Sequence, residues 1–94
     1  MHASIWTFEG DPDGLLERYE AMLSDVPTGA MRLHLCLRAD DGIVVIDTCP
    51  SREAFEAFAA GPFPELRRRH GLPDPAQLDD HPLHAAFAEG VRIA

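Results

Sequence analysis

The chain has 94 residues, 46% of them hydrophobic, which suits one domain (residues 1–94) whose single modest core needs neither disulfide nor metal. Sixteen carboxylates against eight cations, every one an Arg, leave a net charge of −8 and argue against nucleic acids and anionic membranes as partners. No apolar run approaches the roughly 20 residues of a membrane span, and the start MHASIWTFEG lacks the basic and long apolar regions of a secretory signal, so a cytoplasmic location is expected.

Residues 2–9, HASIWTFE, read as a strand. Ser4, Trp6 and Phe8 share one face, and Ala3, Ile5 and Thr7 the other. Both faces are largely apolar, as in a central strand. Asp11-Pro12 opens a helix, with Asp as N-cap and Pro at the first helical position. Leu15, Leu16, Tyr19, Met22 and Leu23 form its apolar stripe, and Val26-Pro27-Thr28-Gly29 ends it.

The clearest local signal is MRLHLCLRADDGIVVIDTC, residues 31–49. Leu33, Leu35 and Leu37 alternate with His34, Cys36 and Arg38, then Asp40-Asp41-Gly42 marks a turn before a second strand rich in β-branched residues. With Asp41-Gly42 as the two-residue loop, Leu37 faces Ile46, Cys36 faces Asp47 and Leu35 faces Thr48. One face then collects Leu33, Leu35, Leu37, Val44, Ile46 and Thr48, and is expected to lie under the helices. The other collects Arg32, His34, Cys36, Arg38, Val45, Asp47 and Cys49, and is expected to stay uncovered. Cys36 and Cys49 share that second face but are offset diagonally, so they read as free thiols.

Ser51 caps a second helix whose buried face is Phe55, Phe58 and Ala59. Gly61-Pro62-Phe63-Pro64 interrupts it, and Glu65 to His70 resumes as a short helix ended by Gly71. Arg67, Arg68 and Arg69 form a solvated cationic face near the C-terminal end of that helix. Residues 74–80 read as a polar connector and His81 to Phe87 as a last strand. Residues 88–94 either add a further edge strand or stay loose.

This order is β-α-β, β-α-β. It predicts an α+β, ferredoxin-like fold: a four-stranded antiparallel sheet in the order 4-1-3-2 with two helices on one face. The uncovered sheet face calls for a second subunit.

On these residues the chain resembles the dimeric α/β-barrel superfamily, the antibiotic biosynthesis monooxygenase-like domains and their stress-responsive barrel relatives. HASIWTF is similar to the His-led first strand of the latter. IVVIDTCPSREAFEAFAAGPF is similar to the superfamily's strand, capped helix and Pro-containing break. The likeness covers nearly the whole chain and implies a homodimer. It also implies a pocket between sheet and helices, with Trp6, Tyr19, Met22, Phe58 and Phe63 around it and His2 and His70 at its mouth. Departures are equally plain. The superfamily's oxygenases and haem-degrading members rely on Asn and Trp at the pocket; this chain has no Asn, and its one Trp stands on the first strand. Where cyclase relatives carry Tyr and His around the helix break, this chain has Phe58 and Pro64.

The resemblance therefore implies a small tailoring enzyme, a cofactor-independent oxygenase or cyclase, acting on an aromatic or polyketide-like molecule and needing no cofactor or metal. Acid–base work falls to Tyr19, His70, His84 or His2, and ligand contact to Trp6, Met22, Phe58 and Phe63. The other reading makes those aromatics plain core and the protein a non-catalytic binding or interaction domain. A second cluster, His34, Cys36, Asp47 and Cys49, has residue types suited to a metal or a nucleophile–base pair, and His81 and His84 are further donors. Its spacing matches no metal motif, and a carboxylate opposite Cys36 makes a poor nucleophile, so it reads better as a polar stripe at an interface.

Overall fold

The computed structural model describes residues 1–27 and 31–94. The expected link through Thr28 and Gly29 lies outside the described residues. The elements run β1 (His2–Glu9), α1 (Pro12–Leu23), β2 (His34–Ala39), β3 (Gly42–Cys49), α2 (Arg52–Ala60), α3 (Pro62–His70), β4 (Gln77–Pro82), β5 (Phe87–Ala88) and β6 (Val91–Arg92). The first four strands make an antiparallel sheet in the order β2-β3-β1-β4, and β5 and β6 pair separately. Among the described residues no helix is long and apolar enough to cross a membrane.

Local chemistry sets the helix starts. The Asp11 carboxylate accepts a hydrogen bond from the Gly14 amide at 3.0 Å, and the Ser51 hydroxyl oxygen accepts one from Ala54 at 3.1 Å. Each cap is worth about 1 kcal/mol. The expected break at Gly61-Pro62-Phe63-Pro64 shrinks to Gly61, because Pro62 fits the first turn of α3 and the short helix expected from Glu65 begins there instead. Gly71 closes α3 at φ 71°, and that left-handed turn lets the Leu72 amide reach the Arg67 carbonyl at 3.0 Å and seats Leu72 in the core.

The hairpin corrects two expectations. Ala39 pairs with Gly42, so Asp40-Asp41 is the loop and the pairing is shifted: Leu37 faces Val44, Cys36 faces Val45 and His34 faces Asp47. Gly42 is not needed for a turn. It lets β1 pass close by, since a Cβ there would collide with the Phe8 carbonyl. A shift of two residues preserves the sorting of faces.

Which face lies inward is the reverse of the expectation. The helices cover Trp6, Phe8, Ile43 and Val45, with Cys36 packed against that core, while Leu35, Leu37 and Ile5 are 44%, 47% and 37% exposed. The cause is β1. Trp6 and Phe8 are its bulkiest side chains, and they pair with Val45 and Ile43, which carries the odd-numbered residues of β3 inward. The alternation in β2 separates two faces without saying which one is covered.

The last strand also moves. β4 occupies the supposed connector, Gln77–Pro82, pairing His2 with Pro82 and Trp6 with Leu78 along the sheet edge. An edge strand tolerates QLDDHP because its side chains remain half solvated. Residues 87–92 form a small hairpin turned by Glu89 (φ 52°) and Gly90 (φ 80°), both left-handed.

Candidate active site

A row crosses the helix-covered face of the sheet. In register across β2, β3, β1 and β4 it reads His34, Asp47, Ser4, Asp80. Above its first member, α1 presents Tyr19, 5% exposed. The Tyr19 hydroxyl lies 2.6 Å from His34 Nε2, and His34 Nδ1 lies 3.0 Å from Asp47 Oδ1. The carboxylate only accepts, so Nδ1 carries a proton; in neutral His34, Nε2 is then free to accept the Tyr19 O–H. Burial pushes the Tyr19 phenol up to about 12, with smaller contributions from Cys36, Glu20 and Asp47, so it stays protonated at neutral pH. Asp47, His34 and Tyr19 thus form one directional chain of hydrogen bonds.

The chain opens on a cavity of about 530 Å³ between sheet and helices. Tyr19, His34 and Asp47 line one part of it, and Trp6, Phe8, Phe55, Phe58 and Phe63 form its aromatic wall. The Trp6 and Phe63 rings are 4.6 Å apart and tilted; Phe55 and Phe58 meet the indole edge-on at 5.9 and 6.2 Å. This volume and these walls, with a few convergent polar groups, have the make-up of a small-molecule site. Trp6 is anchored within it, its indole N–H donating to the Ser4 hydroxyl at 2.8 Å.

Of the residues singled out from sequence, Tyr19, Trp6, Met22, Phe58 and Phe63 line this cavity together. His70 does not. It turns to Asp25 at 2.7 Å and borders a small surface depression with Gly14, Glu17, Arg18 and Ala21. That hydrogen bond, aided by Arg69, holds the Asp25 carboxyl below its usual range. His84 is exposed on the coil after β4, away from the cavity. His2 is buried beneath Phe55 and bonded to Asp80 at 2.6 Å, where it fastens β4 to β1 rather than facing a ligand. His81 is exposed.

Sequence reasoning weighs His34 and Asp47 as a candidate cluster with Cys36 and Cys49, but sets that cluster on an uncovered face as an interface stripe and so does not place the two residues at the cavity. The usable signal was their parity: they lie on the same side of the sheet as Val45, opposite Trp6. Cys36 stands opposite Val45, not Asp47. Burial, then Glu20, pushes its thiol up, and burial does the same for Cys49, so both resist ionisation. Among the described residues no group of three or more His, Cys, Asp or Glu side chains is placed to hold a metal ion. No family model and no curated protein matches the chain.

Proposed function

We propose that the protein is a small tailoring enzyme of the dimeric α/β-barrel type, acting by acid–base chemistry on an aromatic or polyketide-like molecule. The observation that carries this reading is the Tyr19–His34–Asp47 chain opening on an aromatic-walled cavity. In the step it suits, the ligand's acidic C–H proton passes to the Tyr19 oxygen as the Tyr19 proton passes to His34 Nε2. The C–H electron pair becomes an enolate, and Asp47 stabilises the imidazolium. In an aldol-type ring closure the enolate carbon then bonds to a second carbonyl carbon. The oxygen of that carbonyl takes the proton back through Tyr19. Two shifts in concert avoid a free phenolate, which the high pKa of Tyr19 disfavours.

The same reading makes the protein a homodimer whose open sheet faces stack. Support comes from the exposed Ile5, Leu35 and Leu37 on the sheet face opposite the helices.

Ring closure of a synthetic aryl triketone, followed by chromatography, tests the reading. Wild type should accelerate it and His34→Gln should not. Saturable binding of the triketone without turnover would instead favour a binding domain, for which the same cavity is the supporting observation.

A further inference from the structure

We propose that Ser4 is the hydrogen-bond donor that selects a carbonyl-bearing ligand, holding the ligand's oxygen inside the cavity; this rests on reading the cavity as a small-molecule site. Ser4 is 2% exposed and lines the cavity. A serine hydroxyl has one proton to donate and two lone pairs to accept with. The Trp6 indole N–H takes one lone pair at 2.8 Å. The hydroxyl's own proton has no acceptor among the described residues. Ser4 has a carboxylate as register partner on each side, Asp47 and Asp80, and these bond to His34 and to His2.

A ligand that leaves this donor unpaired among aromatic walls is penalised, because it displaces water from the hydroxyl without supplying an acceptor in its place. The indole bond also polarises the hydroxyl and makes its proton a better donor. A ligand carbonyl oxygen supplies the missing acceptor; a hydrocarbon of the same shape does not. Ser4 therefore fixes where the ligand's polar atom sits, one strand away from Asp47 and two from His34. It is a specificity residue that touches ligand, separate from the proton-moving chain.

The test compares α-tetralone with tetralin, bicyclic molecules of nearly equal shape with and without a carbonyl. Binding is followed through the indole N–H resonance of Trp6, the only Trp, which itself contacts Ser4. Wild type should bind the ketone about tenfold more tightly than the hydrocarbon. Ser4→Ala should remove that preference by weakening the ketone alone. If Ser4→Ala is misfolded because it strands the indole N–H, Trp6→Phe/Ser4→Ala is compared with Trp6→Phe by calorimetry, and the preference should again vanish only where Ser4 is lost. Binding of both compounds without a preference in wild type, or with one that survives loss of Ser4, overturns the role of Ser4 and leaves the cavity reading standing. Binding of neither compound overturns both.

Discussion

The phenol oxygen of Tyr19, on α1, lies 2.6 Å from Nε2 of His34, on β2, although the two residues stand 15 positions apart in the chain. The contact joins helix layer to sheet layer at the cavity wall. It gives a proton held by a weak acid a short path to a base oriented by Asp47. Loss of the phenol hydroxyl should therefore cost rate and not binding. Tyr19→Phe is expected to lower kcat for ring closure by about 100-fold with KM within a factor of about three. Steady-state kinetics on the aryl triketone checks this.

In the proposed step Asp47 acts through His34, so its conservative variant should distort proton transfer without emptying the cavity. Asp47→Asn is expected to reduce kcat by 100-fold or more, because an amide N–H can face Nδ1 only if the ring changes tautomer. Ligand affinity should stay near wild type. A pH–rate profile that is displaced in Asp47→Asn, beside unchanged binding, separates a positioning role from a purely structural one.

Which sheet face is covered decides two substitutions. Val45 is buried under the helices, so Val45→Asp should destabilise the fold by at least ~3 kcal/mol. Leu35 is 44% exposed, so Leu35→Asp should leave the chain folded and, on the proposal that the open sheet faces stack, make it monomeric. Urea unfolding and sedimentation equilibrium together check both. Unfolding by Leu35→Asp would mean that Leu35, not Val45, faces the helices.

Much of the fold is legible in the sequence where the determinant is local. Asp11-Pro12 and Ser51 mark helix starts by their own hydrogen bonds, and Gly71 marks a stop by its φ. The β1 limits follow from HASIWTFE alone. What is not local is harder to read. Alternation in β2 and β3 defines two faces, but the choice between them belongs to Trp6 and Phe8 on another strand. The strand in QLDDHP escapes notice because an edge strand needs no apolar pattern. The site is legible in the same uneven way. Tyr19 and the aromatic wall stand out by helical spacing and residue type, whereas His34 and Asp47 acquire meaning only once the inward face is known.

Gly42 offers a check on the register itself. A side chain there would meet the Phe8 carbonyl of the neighbouring strand. Gly42→Ala should therefore lower stability by about 1–3 kcal/mol, the usual cost of forcing extra volume into a packed site. Asp41→Ala, in the loop, should cost far less. Paired denaturation curves for the two variants check both expectations.

Alkaline pH should reveal the buried phenol. The folded pKa of Tyr19 is raised to about 12 from an ordinary value of 10.0, so the stability linked to its bound proton is full below about pH 10 and is lost as pH rises toward 12. Thermal melts across that window should fall more steeply for wild type than for Tyr19→Phe, which has no phenol to ionise. The raised Cys36 thiol adds a similar loss that begins near its ordinary value of 9.0 and is common to both proteins.

The most direct measurement is exchange of the α-hydrogens of α-tetralone for solvent deuterium, followed by proton NMR in heavy water. This reads proton removal alone, with no need for the natural substrate or for a complete reaction. Wild type should accelerate exchange by about 100-fold or more over buffer, with His34→Gln falling back to the buffer rate while still binding the ketone. Exchange by His34→Gln as fast as by wild type, or no acceleration by wild type at saturating ketone, would contradict an acid–base role for the Tyr19–His34–Asp47 chain.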